Sequence, residues 1–474
     1  MNMHEARRRF LYQSLTGLGG IALMDLLNRD LFAGSTGNFN PLAARDPHHP
    51  ARANACIFLG MLGGVSQMDT FDPKPALEKF HDKSMDWSKE KLTDDQKLFA
   101  KPRVIARSPF QFRKYGQCGM DVSELFPHLA TCVDDMAFVR SIQAENGNHP
   151  AAIFLMNTGI TMPGNPSLGG WVTYGLGTKN QNLPAFVVLP DFRAIPFGGS
   201  QHWGSGFLPA GYQGTILRWK GEAIRDLEPP TGLTMEEEER QRALLRSYNR
   251  KFLEKHFTNP DLQARIDAYE LAFRMQAAVP GVVDVSKESE ATKEMYGLRH
   301  PVTESFGKRC LMARKLVESG VRFVQLYTPS QSWDGHVDIR KNHLKNARET
   351  DQPVAALLKD LKKRGLLDTT LVVWMGEFGR TPDTPADRKQ TGRDHNIGAM
   401  TLWFAGGGVK GGTLVGATNE LGYKAVENVY RIRDVHATVL HLLGLNDMQL
   451  SYYHAGRNRR LTDTGGEIIK EIVA

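Results

Sequence analysis

The stretch LVVWMGEFGRTP, Leu371 to Pro382, opens with five apolar residues in a row and then sets one carboxylate, Glu377, between Gly376 and Gly379. A run with no polar alternation reads as a strand buried on both faces, the kind found inside a parallel sheet. The same pattern recurs in NACIFLGMLGG (54–64), MAFVRSI (136–142), AFVVLP (185–190), VRFVQLY (321–327) and MTLWFAGGG (400–408). Helical segments alternate with these runs. HPAAIFLMNTG (149–159) has Pro150 in its first turn and Gly159 at its end, and TESFGKRCLMARKLVESG (303–320) stops at Gly320. QPVAALLKDLKKRG (352–365) stops at Gly365, RDVHATVLHLLG (433–444) closes the series, and VSELFPHLATCVDD (122–135) predicts a short helix capped by Ser123 or Asp121. The alternation predicts an α/β fold with a mostly parallel central sheet sandwiched by helices.

In such a sheet, ligands sit beyond the carboxyl ends of the strands. The residues there are of one chemical kind. Ser66, Asp69 and Asp72 follow the first strand, Asp334 and His336 follow VRFVQLY, and Glu377 follows LVVWM. Asp394 and His395 precede the strand that starts at Met400. Carboxylates and imidazoles from separate parts of a chain form a donor set for a divalent cation such as Zn²⁺, Mn²⁺ or Mg²⁺. Each has a structural alternative: Asp69 and Asp72 as turn caps before PKP, Asp394 as a helix or turn cap, and Glu377 as the buried partner of Arg380.

The chain order of these motifs resembles the alkaline phosphatase and sulfatase superfamily. DVHATVLHLLGL (434–445) resembles its C-terminal helix, and HPAAIFLMNTG resembles the sulfatase nucleophile helix. GGVSQMDTFDPKP, WDGH, GEFGRTP and GRDHN, behind a twin-arginine leader, resemble an uncharacterised exported family of sulfatase-like proteins of unknown function. The resemblance implies an alkaline phosphatase-like fold, hydrolysis of sulfate or phosphate esters, and a divalent metal (Zn, Mn, Mg or Ca) held by Asp69, Asp334, His336, Glu377 and His395. It also implies departures. Phe378 stands where many members have a second ligand, and His149 stands at the nucleophile position, where no Cys or Ser is available. His149 then binds metal, acts as acid, base or nucleophile, or marks lost chemistry; Ser66 is an alternative nucleophile. Arg380 is a candidate for neutralising the anionic group of a small-molecule or polysaccharide ester, on whose sugars Trp171, Trp203 or Trp333 could stack. The competing expectation is a secreted binding or assembly protein that keeps the fold without turnover.

At 474 residues, 41% hydrophobic and 23% charged, the chain has the composition of a globular protein. Its formal charge of +7 is spread among 52 acids, which argues against a concentrated nucleic-acid-binding face. The N-terminus has Arg7 and Arg8 ahead of Phe10 and Leu11 and a weakly apolar run from Leu15 to Leu27, the pattern of a twin-arginine export signal. Export implies a periplasmic or extracellular location, with membrane contact only if the signal stays uncleaved; Ala43 and Ala44 offer small residues for cleavage. Residues 1–45 are therefore assigned to signal and linker and 46–474 to one domain, with a charged helical insertion around 229–280. Cys118 and Cys132 are the candidate disulfide in an oxidising compartment, four free thiols being the alternative.

Overall fold

The computed structural model describes residues 40–84, 102–224, 234–255 and 260–474. The twin-arginine motif and its apolar run lie outside the described residues. Nine strands form the main sheet: β1 (Ala55–Gly60), β2 (Met136–Gln143), β3 (Phe186–Leu189), β4 (Thr215–Ile216), β5 (Phe323–Tyr327), β6 (Thr370–Met375), β7 (Met400–Ala405), β8 (Thr413–Val415) and β9 (Tyr430–Arg431). Their order is β8-β2-β7-β6-β1-β5-β3-β4, with β9 paired to β2. Only β7 runs against its neighbours; the other pairings are parallel.

The continuous apolar runs are explained by helices on both faces. Along β1, Ala55, Ile57 and Leu59 enter one core and Cys56 and Phe58 the other, the two-residue alternation of a strand covered on both sides. The first core is closed by α5 (Glu304–Glu318) and α6 (Ile339–Lys363), the second by α1 (His149–Thr158), α2 (Leu168–Leu176) and α7 (Ile432–Leu442). Two further helices, α3 (Met235–Lys255) and α4 (Pro260–Val283), account for the charged segment. Residues 42–474 make one compact unit. Among the described residues, no helix is long and apolar enough to cross a membrane.

Four local expectations change. Met120–Ser123 is a strand paired with Phe112–Tyr115, so Asp121 and Ser123 belong to a hairpin, and the helical turn starts only at Leu129. Helix α6 begins at Ile339, where Asp338 caps it by accepting from the Lys341 amide, and Pro353 lies inside it instead of opening it. Asp72, whose structural alternative was a turn cap before PKP, is buried at 1% exposure with its carboxylate accepting from Thr418, which ties it to the core. The four cysteines are free, with Cys118 exposed and Cys132 buried, so the candidate disulfide is not formed.

Candidate metal centre

The three central parallel strands β6, β1 and β5 end side by side, and their following loops meet. The β1 loop turns on Gly63 and Gly64, both with positive φ (122° and 73°). A side chain at Gly63 would bring its Cβ within 2.5 Å of the Trp333 amide and 2.6 Å of the Asp334 amide, so only glycine lets the β1 and β5 loops approach this closely. His149, at the first position of α1, arrives after β2, and His395 arrives just ahead of the antiparallel β7. All are thereby delivered to one edge of the sheet.

Asp334 is the hub. Its Oδ1 lies 3.1 Å from Nε2 of His336 and 3.5 Å from Nε2 of His395, and its Oδ2 lies 3.5 Å from Nε2 of His149. Donor atoms of His149, Asp334 and His395 all fall within 4.8 Å of one another, a spacing that could hold a metal ion. Behind each imidazole stands a group that can only accept. His149 Nδ1 is 2.7 Å from Glu377 Oε1, His336 Nδ1 is 2.8 Å from Asp394 Oδ1, and His395 Nδ1 is 2.6 Å from the Gly147 carbonyl. Each Nδ1 therefore donates to its acceptor, which leaves Nε2 as the ring atom turned inward. The Nε2 atoms of His336 and His395 face each other at 3.0 Å, where two lone pairs repel unless a cation or proton sits against them. Nε2 of His149 is buried and makes no hydrogen bond among the described residues.

The electrostatics agree. Burial would raise the pKa of Asp334, but the adjoining His149 and His395 imidazoles and the charge of Arg380 overcome it and hold the carboxyl well below the usual carboxylate range. Burial also works to lower the pKa of His149, yet Asp334 and Glu377 raise it overall. The field that favours a proton on His149 also favours a cation beside it. On His395 burial prevails and the pKa is lowered. Three imidazole nitrogens and a carboxylate form a set that suits a transition ion such as Zn²⁺ better than the all-oxygen shells of Ca²⁺ or Mg²⁺.

The remaining residues named from sequence fall elsewhere. Glu377 is fully buried behind His149, and its carboxylate accepts from the Gly63 amide at 2.9 and 3.1 Å as well as from His149. Arg380 does not pair with Glu377 as its hydrogen-bond partner. Its guanidinium, also fully buried, donates to the carbonyls of Gly63, Gly64 and Arg393 and, at 2.5 Å, to Asp334. With its donors thus engaged it positions Asp334 and is not presented to a substrate. Asp69 is drawn into a different cluster, paired with Arg393 at 2.7 Å and accepting from Ser66 Oγ at 2.6 Å; both Asp69 and Ser66 are 0% exposed. Phe378 packs its ring 4.8 Å from His149 and 4.5 Å from His395, an apolar wall where a further donor would stand. Asp394, named from sequence as a cap, instead anchors His336 and is itself held by Arg103 at 2.6 Å. Arg103 was not singled out from sequence; nothing near it in the chain signals a site. Trp171, Trp203 and Trp333 are all buried, which gives them core roles, although Trp203 borders a cavity of about 590 Å³ at the β4 edge of the sheet.

No curated protein sequence matches the chain. Among solved structures, it is similar to a protein in the alkaline phosphatase superfamily from Vibrio parahaemolyticus (9% identity, 93% of this chain and 75% of that one, TM-score 0.37). It is also similar to TAB5 alkaline phosphatase with Mg bound (10% identity, 84% and 99%, TM-score 0.35) and to a phosphonate monoester hydrolase from Silicibacter pomeroyi (11% identity, 73% and 71%, TM-score 0.34). At such scores these likenesses say nothing about chemistry. The model of a family described as "Protein of unknown function (DUF1501)" matches residues 53–473, nearly all of the described chain, and the chain belongs to that family.

Proposed function

We propose that this protein is a metal-dependent hydrolase of sulfate or phosphate esters that works outside the cytoplasm after export by the twin-arginine route. The observation that carries the reading is the convergence of three Nε2 atoms, from His149, His336 and His395, on the carboxylate of Asp334. These four side chains would hold the cation. A divalent ion held there would supply Lewis-acid charge toward an ester oxygen and would favour deprotonation of water.

The protein's own groups set the conditions. Glu377, Asp394 and the Gly147 carbonyl fix the tautomers, and Arg380 fixes Asp334. His336 and Asp394 are the exposed members of the cluster, with side chains 40% and 44% accessible, so an ester approaches from their side. Ser66 is sealed in the core with its hydroxyl given to Asp69, which leaves water as the nucleophile.

A second reading, a secreted binding protein that keeps the metal without turnover, is favoured by the engagement of Arg380, which leaves that guanidinium unavailable to a substrate anion. One experiment separates the two. Protein stripped of metal and reloaded with Zn²⁺ or Mn²⁺ is assayed for bound ion and against aryl sulfates, phosphate monoesters and phosphate diesters, beside His395→Ala. Bound ion and hydrolysis, both lost in His395→Ala, are expected. Ion bound without hydrolysis of any ester would support the binding protein, and no ion bound would end both.

A further inference from the structure

Helix α3 offers a surface unrelated to the metal centre. It rests on α4 through one side, where Arg246 pairs with Glu270 at 2.9 Å and the Arg242 guanidinium lies over the Phe273 ring. Its other side carries Leu244, Leu245 and Tyr248, exposed at 58%, 52% and 63%, with Phe252, exposed at 51%, one turn further along. At 100° per residue these three fall within one 100° arc, so they form a stripe and not a scatter. Large apolar side chains gathered in this way on an otherwise charged helix mark a contact surface.

The charge pattern says which partner fits. In sequence, α3 begins with four consecutive glutamates, 236–239, and its last two turns are rich in Lys and Arg, Lys251 being exposed. Glu237, whose carboxylate also accepts from the Thr234 amide and hydroxyl at the helix start, lies along the stripe near one end and Lys251 flanks it near the other, about 21 Å apart along the axis at 1.5 Å per residue. A second α3 laid antiparallel against the stripe, with the two-fold axis at the level of Arg246 along the helix, sets Leu244 opposite the partner's Tyr248 and each acidic end toward a basic end. The two helix dipoles then also oppose. The macrodipole of a single helix accounts for acids at its start and bases at its end, but it does not account for three exposed apolar side chains between them.

We infer that the chain self-associates as a two-fold dimer through antiparallel pairing of α3, an isologous contact in which one surface is its own complement. Light scattering during size exclusion, with sedimentation over a concentration series, tests it on the full chain. The wild type is expected at twice the 52.9 kDa chain mass. Leu244→Glu combined with Tyr248→Glu is expected at the single mass, with its dissociation constant raised about 30-fold or more and an unchanged far-ultraviolet spectrum. Lys251→Glu alone weakens the dimer in low salt, and adding Glu237→Lys to it restores the dimer by exchanging the two ends. A wild type that is monomeric at every concentration overturns the inference, as does a dimer indifferent to the Leu244/Tyr248 pair. A monomer that floats with anionic vesicles would likewise overturn it, giving the stripe to a membrane.

Discussion

Two clusters built from the same kinds of residue lie beside each other, and they differ in what they leave unpaired. Around Asp69, the carboxylate is matched by Arg393 and Ser66, and His343 Nε2 accepts the Ser66 amide at 3.0 Å; all four residues are 0% exposed. Around Asp334, the carboxylate is matched by Arg380, yet three imidazole Nε2 atoms crowd against it, and the buried one of His149 has no hydrogen bond among the described residues. An arginine, an aspartate and a histidine in contact do not by themselves make a site. What separates a structural cluster from a candidate metal centre is whether its lone pairs are used up by the protein.

The comparison breaks most readily at Asp69. Asp69→Ala would strand the Arg393 guanidinium without its carboxylate in the core, and removing one partner of a buried pair costs about 3–5 kcal/mol. Urea unfolding should show that loss, while the protein that remains folded still binds metal at full stoichiometry. A variant that lost metal with its stability unchanged would make Asp69 part of the centre and erase the distinction.

The next effect is read with acid. Burial pulls the pKa of His343 down to about 3 and that of His436 down to about 4, both from 6.5. The unfolded imidazoles take protons near pH 6.5 and the folded ones resist, so the unfolded chain binds more protons as pH falls below 6.5 and stability declines toward pH 3–4. The slope is about 1.4 kcal/mol per pH unit for each group. In metal-free protein, His436→Gln should flatten part of this acid limb between pH 6.5 and 4. An unchanged limb would show that His436 is not held neutral, and the stability of the closed regions would need another account.

The sequence shows why the two clusters could not be told apart in advance. The strands were legible because burial on both faces leaves an unbroken apolar run, as in Leu371–Met375 and Ala55–Leu59. Asp334, His336 and His395 were legible as residues next to strand ends, whereas His149 was named only through the likeness of its helix to the sulfatase nucleophile helix. The fate of Asp69 did not, because it depends on an arginine 324 positions away whose direction no local pattern encodes. Glu377 was legible as a buried acid at a strand end, but whether it faces a cation or the back of a histidine is a matter of a few ångströms. Helix α6 is longer than the segment 352–365 expected from sequence for a simpler reason: the Asp338 cap that starts it precedes a stretch with little apolar periodicity.

Glu377 sharpens the comparison with the smallest change. It touches His149 through Nδ1, the nitrogen turned away from Asp334, and the loss of a group that orients a metal-ligating histidine typically lowers metal affinity about 10–100-fold. Glu377→Ala should therefore weaken binding by roughly that factor in a competition titration, and Glu377→Gln, which keeps an acceptor for the His149 N–H, should recover most of it. The absorption spectrum of the Co²⁺-substituted protein gives a readout that affinity alone does not. If Glu377 only orients His149, the ligand-field bands of the two variants keep the wild-type coordination; if its oxygen reaches the ion, the bands shift when the carboxylate goes. The second outcome would return Glu377 to the metal's own shell and leave the His149 Nδ1 proton, on which the argument for three inward lone pairs partly depends, without its acceptor.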